Sequence, residues 1–439
     1  MANSLNDLPF RRLSYLCTLF IKTLFMLTFD RFTLRNGLTV LVHHDRTTPI
    51  VAVNILYKVG SRDETPDKTG FAHLFEHLMF GGSVHIPQFD EPLQKAGGQN
   101  NAFTNNDFTN YYITLPRTGI ETAFWLESDR MLSLAFSPKS LEVQRQVVIE
   151  EFKQNYLNQP YGDVFLLLKP LVYKKHPYRW NTIGKDISHI EKATMEDVKA
   201  FYKKYYNPDN AILCVAGNVE TNEIKRLAEK WFGETPSGEP VVRHYPQEPE
   251  QTATRSLTVE RDVPQDAFYM AWRMPKRTDP DYYTVDLISD VLSNGNSSRL
   301  FQKLVKERQL LSEVNAFITG DLDGGLFLVT GKLYPHVSFK EAENSVMEEL
   351  TRLQNETVPV EELQKVKNKA EANFVFSEIS VLGKAMGLSY YEMLGDADLF
   401  NRETGNYMAV TPERLQCTAR QLFRPEKRNI LYYKAKKKS

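Results

Sequence analysis

Apolar and polar positions alternate along the first hundred residues in a way that predicts strands interrupted by helices. Segments 27–34 and 38–44 are short β-branched or aromatic runs joined by "RNG", a hairpin signal. "IVAVNILYKVGS" and "TNYYITLP" predict two more strands, and "NAILCVAGNV" at 210–219 a late buried strand. Helical spacing of apolar residues covers 69–80, 120–135, 138–157 and 221–232. "GETPSGEPVVRHYPQEPEQTAT" then loses apolar periodicity and is rich in Pro, Gly, Glu and Thr, a linker composition near mid-chain.

The second half repeats the plan of the first. "SLTVERDVPQDAFYMAWRMPKRTDPDYYTVDLISDVLSNG" parallels "GLTVLVHHDRTTPIVAVNILYKVGSRDETPDKTGFAHLFEHLMFGG": strand, strand, charged loop, then a helix closing at glycine. Laying "HLFEHLMFGG" on "DLISDVLSNG" sets His73, Glu76 and His77 opposite Asp286, Ser289 and Asp290. The expected fold class is α+β: two homologous domains, each a mostly antiparallel sheet packed with helices. The expected division is an extension over 1–25, a first domain over 26–235, a linker over 236–252 and a second domain over 253–439.

On a helix at 100° per residue, Phe71, Leu74, Phe75 and Leu78 share one side. His73, Glu76 and His77 fall together on the other, and Gly81 and Gly82 follow as stop signals. Two histidines one turn apart can reach one ion, with Glu76 on the same face able to accept a proton from water. A hydrated helix face that happens to carry two histidines is the bland alternative. With nine histidines in the chain, this pattern would arise by chance about 0.01 times per sequence, which favours a metal. Two histidines and one carboxylate with an open position form a catalytic zinc arrangement, whereas structural sites are closed with thiolates. No cysteine lies near the motif. "LEVQRQVVIEEFKQNYLNQP" offers Glu150 and Glu151 on a second helix, where adjacent residues point about 100° apart. Only one can face the ion, and periodicity does not choose between them.

Composition narrows the classes of partner. A formal net charge of -1 gives no case for nucleic acid. Cys17, Cys214 and Cys417 follow no metal or redox spacing, so a reducing, cytoplasmic location fits. "RRLSYLCTLFIKTLFMLTF" resembles a signal sequence, but Lys22 interrupts it and no small-residue cleavage site follows. It is also too short and broken for a stable membrane span. A periplasmic location follows if residues 1–25 act as a signal. The remaining histidines (His43, His44, His85, His176, His189, His244 and His336) are expected to be packing or surface residues, and "KAKKKS" a solvated tail.

"HLFEH", "GGQNNAFTNNDFTNYYITLP", "RQVVIEEF", "HPYRWNTIG" and "SSRLFQKLVKERQLL", in that order and spacing, resemble the inverzincin peptidases of family M16, also called the pitrilysin family. The resemblance spans residue 27 to about 430 and is closest to the single-repeat, mitochondrial-processing-type bacterial branch. It implies a LuxS/M16-like metalloenzyme fold and one Zn2+ per chain. His73, His77 and Glu151 are then the zinc ligands, Glu150 the runner-up, and Glu76 the general base. Asn101 and Ala102 in "NNAFT" become candidates for pairing with a substrate backbone. The implied activity is hydrolysis of peptides or unfolded segments by a metalloendopeptidase. Two departures stand out. Gln144 replaces an acidic residue that supports the site in the family. Val305 and Ser312 replace the arginine and tyrosine with which active members grip substrate, while the nearby Arg299 and Arg308 read as structural charges. A second M16-like chain, in a heterodimer or homodimer, is expected to supply that grip. The competing reading is a non-catalytic structural subunit.

Overall fold

The computed structural model describes residues 26–436, so the extension expected over 1–25 lies outside the described residues. Two sheets organise the chain. The first has the order β1-β2-β6-β3-β5-β4, built from Asp30–Thr33, Thr39–His44, Ile50–Tyr57, Gln99–Thr104, Thr109–Pro116 and Ala211–Gly217 as β1 to β6. The second has the order β7-β11-β8-β10-β9, from Arg255–Arg261, Ala267–Arg273, Leu311–Ile318, Leu326–Leu333 and Asn429–Ala435 as β7 to β11.

Each sheet contains one parallel pair, β2 with β6 and β7 with β11, and is otherwise antiparallel. The order and directions of β7-β11-β8-β10-β9 reproduce those of β2-β6-β3-β5-β4, which is the structural form of the repeat read in the sequence. Runs such as "IVAVNILY" are apolar on both faces because both faces are covered, and Val51 through Tyr57 are all buried.

The covering is exchanged between halves. The helix Val164–Val172, from the first half, packs on β7, β8 and β11 of the second sheet, where Leu168 and Val172 join the core around Leu328 and Leu431. The helix Val381–Met393, from the second half, packs on β3 and β6, where Ala385 and Leu388 meet Ala52, Leu56 and Cys214. Neither sheet would keep both faces dry without the other half. Polar ties reinforce the exchange: Lys384 reaches Asp45 at 2.6 Å, and Arg62 bridges Asp107 at 3.0 Å and Asp323 at 3.2 Å.

The pattern over 138–157 predicts one helix, but the structure changes pitch within it. Pro138–Phe152 is α-helical and Lys153–Leu157 is a π turn. Hydrophobic periodicity senses which face is apolar and cannot register one extra residue per turn.

Candidate metal centre

The site is built on a short helix, Phe71–Leu78. Its N-cap, Gly70, sits at φ 90°, and a Cβ there would approach the Ile183 carbonyl oxygen to 2.8 Å, so only glycine suits the turn. No side chain at the cap position itself satisfies the first amides. Glu64 does so from outside the helix, accepting from Gly70 N at 2.9 Å and Ala72 N at 2.8 Å. The inner face buries Phe71, Ala72, Leu74, Phe75 and Leu78, with Phe75 stacked on Phe201 at 4.9 Å between ring centroids. That burial fixes the helix's rotation and turns His73, Glu76 and His77 outward together.

The two imidazole Nε2 atoms lie 3.3 Å apart, and Glu151 Oε2 lies 3.6 Å from each. Glu151 comes from the helix Pro138–Phe152, which packs beside the site helix. Among the described residues, His73, His77 and Glu151 are the group of three metal-ligating side chains that converge, with all three donor atoms within 4.8 Å. Glu150 turns away, pairing with Lys153 at 2.7 Å while more than half exposed.

The donor set suits zinc. Bonds of about 2.0–2.1 Å in a tetrahedral set put ligand atoms about 3.3–3.4 Å apart, close to the observed separations. Protonation states agree. Burial pulls the His73 imidazole down to about 4, against the field of Glu151, leaving it in its neutral, ligating form. The nearby imidazole of His77, with that of His73, holds the Glu151 carboxyl below its usual range despite partial burial. Burial pushes the Glu76 carboxyl up, and Thr104 opposes it. A raised carboxyl beside a cation site suits proton transfer. The Nδ1 of His73 is buried with no hydrogen-bond partner, so packing alone orients that side of the ring. Gln144 stands half-buried on the same helix as Glu151.

Asn101 and Ala102 lie on β4, the free edge of the first sheet, opposite Tyr112 and Tyr111. The turn bond from Asn105 N to Phe108 O sets the alternation of the ladder, which points the Ala102 N–H and C=O outward. With no outer strand, the Ala102 amide donates to Asn101 Oδ1 at 2.8 Å. The β4 strand also packs against the site helix, the element that carries His73, Glu76 and His77.

In the second half, the helix Asp281–Ser293 packs against β9 as the site helix packs against β4. Asp286 is taken by the Tyr407 hydroxyl at 2.6 Å and Asp290 by Asn294 at 2.5 Å, so these carboxylates are satisfied within the protein. Val305 is half-buried in the second core, and Ser312 donates to Gln265 Oε1 at 3.2 Å. Arg299 forms a two-pronged pair with Glu362, and Arg308 pairs with Glu348. Other histidines have structural partners, including His44 with the Val219 carbonyl and His85 with Asp129, each at 2.6 Å. Sequence reading missed Glu64. "SRDETPDKTG" reads as a charged surface loop, and nothing local marks one of its acids as the cap of a helix six residues on.

Two family sequence profiles match the chain: "Insulinase (Peptidase family M16)" over residues 39–184 and "Peptidase M16 inactive domain" over 192–370. The chain is 31% identical over 349 residues to the zinc protease PqqE of Helicobacter pylori, covering 78% of each protein. It is 29% identical over 318 residues to a probable mitochondrial-processing peptidase subunit beta of Schizosaccharomyces pombe, covering 69% of each. The crystal structure of a protease from Helicobacter pylori superimposes with a TM-score of 0.89 at 27% identity, covering 93% of this chain and all of that one.

Proposed function

The chain belongs to peptidase family M16, and we propose that it is a zinc-dependent metalloendopeptidase cleaving peptides or unfolded polypeptide segments. The observation that carries this reading is the convergence of His73, His77 and Glu151 from two helices, with Glu76 on the same face. On this reading residues 26–235 form the catalytic domain, 236–252 the linker and 253–439 a second domain without a metal set of its own.

His73, His77 and Glu151 would hold one zinc ion, whose Lewis acidity brings the pKa of a water to about 7. Glu76 takes the proton from the attacking water and returns it to the nitrogen of the leaving amine. Its raised affinity for a proton favours the first transfer. The outward N–H and C=O of Ala102 pair with an extended substrate backbone. Main-chain pairing reads shape more than sequence and demands an extended chain, which excludes folded proteins as direct substrates.

Val305 and Ser312 offer no charged or phenolic grip on such a strand. A second M16-like chain, different or identical, would supply it. The same two residues support the alternative reading of a non-catalytic subunit. No helix among the described residues is long and apolar enough to cross a membrane. We assign the chain to the cytoplasm, or to the periplasm if residues 1–25 direct export.

Metal analysis paired with a peptide-cleavage assay tests the proposal. Wild type should carry about one zinc per chain, and Glu76→Gln should keep the metal while losing about 10²–10⁴-fold in kcat. Wild-type rates in Glu76→Gln would refute the assigned base. Full metal loading without any peptidase activity, alone or with a related chain, would favour the non-catalytic subunit.

A further inference from the structure

Behind the capped end of the site helix lies a second cleft, of about 320 Å³, between the turn Arg62–Pro66, the segment 175–180 and the linker 241–246. Its size falls in the range of small-ligand pockets. Its charge is one-sided. Lys175, Arg179 and Lys204 all line it, and among the described residues none of the three pairs with a carboxylate. Arg179 donates to the Lys174 carbonyl at 3.0 Å and lies over the Trp180 ring, while Lys204 lies over Tyr205. These contacts hold Arg179 and Lys204 in place without neutralising them.

The two acids that line the cleft are already committed. Asp63 accepts from Arg243 at 3.0 Å and from the Tyr245 hydroxyl at 2.7 Å. Glu64 spends both oxygens on the amides of the site helix. Arg62 is matched by Asp107 and Asp323. Glu248 in the linker accepts the backbone amides of Lys174, Lys175 and His176. What remains facing solvent is three cations and the exposed His244, around a rim of tyrosine and proline. On a chain of net charge -1, such a concentration is local and focuses the field within the cleft.

We propose that this cleft binds a small polyphosphate anion, held by Lys175, Arg179 and Lys204. Three cations on two segments, Lys175 and Arg179 within 175–180 and Lys204 in the helix Met195–Tyr205, match several phosphate oxygens at once, with Arg179 able to engage two together. The aromatic rings beneath are largely buried, with Trp180 only 3% exposed, so the phosphate chain and not a stacked base is the recognised part. The site is separate from the metal centre and stands or falls independently of the peptidase reading.

Calorimetric titration of the zinc-loaded full chain, with magnesium in excess so that the phosphates do not strip zinc, tests this with magnesium tripolyphosphate and magnesium ATP. Saturable one-to-one binding of tripolyphosphate is expected, weakened about tenfold or more by Lys204→Glu and by Lys175→Glu. Peptide cleavage and melting temperature should be unchanged in both variants. Similar affinity for the two probes supports a cleft that recognises the phosphate chain, and markedly tighter ATP would contradict it by showing that the nucleoside is read. Binding of ATP without tripolyphosphate would overturn it. So would no saturable binding of either probe, or unchanged binding in a folded Lys204→Glu/Arg179→Glu double variant. Should a charge reversal impair folding, Lys204→Met reports the same loss without introducing an acid.

Discussion

The Glu64 carboxylate accepts the Ala72 amide at 2.8 Å, and Ala72 immediately precedes the first histidine of the metal set. A helix of eight residues has little intrinsic persistence, so its direction depends on its packed face and on this cap. Glu64→Gln keeps the side-chain shape but sets an amide NH2 against one of the backbone donors it must satisfy. The expected cost is about 1–3 kcal/mol in urea unfolding. Zinc affinity, measured by competition with a chromogenic chelator, should fall about 10-fold or more as the imidazoles lose their aim. A variant that unfolds more easily yet binds zinc as wild type would confine Glu64 to a purely structural role.

Glu150 and Glu151 are adjacent, but one pairs with Lys153 and the other stands 3.6 Å from both imidazoles. Removing a ligand and removing a surface charge should therefore separate cleanly. Glu151→Gln is expected to lose about 10²-fold or more in zinc affinity, and with it the stabilisation a bound ion provides, about 2.7 kcal/mol at one hundred times the dissociation constant. Glu150→Gln should change stability by no more than about 0.5 kcal/mol and leave zinc binding alone. Metal content after dialysis, together with melting curves with and without EDTA, reads both. Equal zinc loss in the two variants would show that the observed rotation of the helix is not the one that holds metal.

The pair of Asp45 and Lys384 ties the first sheet to the helix that covers it from the second half. Burial alone would raise the Asp45 carboxyl, but Lys384 and the hydroxyl and amide of Thr47 outweigh it and hold the group well below the usual carboxylate range. A depressed folded-state pKa contributes stability that is present above the unfolded value near 4 and is lost as pH falls below it. Asp45→Asn should thus lose about 1–2 kcal/mol at pH 7, after allowance for solvent screening. The gap between variant and wild type should close progressively below about pH 4. A gap independent of pH would assign the loss to packing and not to charge.

Much of this arrangement was legible in the sequence where one segment carries its own pattern. "TNYYITLP" became β5 without adjustment, and "TNEIKRLAEKWF" became a helix, because alternation and the 3.6-residue period are local properties. The placement of His73, Glu76 and His77 on one face followed for the same reason. The choice between Glu150 and Glu151 was not available from periodicity, since exposed Val143 and Val147 mark no buried stripe on that side of the helix. Nor was the exchange of covering helices: "VFLLLKPLV" advertises an apolar helix but does not say which sheet it will meet. Those facts depend on contacts between residues far apart in the chain.

The open edge of β4 gives the substrate proposal its sharpest test. Ala102 points its N–H away from β5, so proline there removes an outward donor while sparing the ladder, a position in which edge strands tolerate proline. Ala102→Pro is therefore expected to fold and to bind zinc normally. It should lower kcat/KM for unstructured peptides about 3–10-fold, mainly through KM, the scale of one main-chain hydrogen bond. Asn101→Ala should act in the opposite sense, because it deletes the side chain that occupies the same amide in the absence of substrate. Steady-state kinetics on a peptide series measures both. If the two substitutions shift KM in the same direction, or neither shifts it, then substrate does not add to this strand, whatever the metal does.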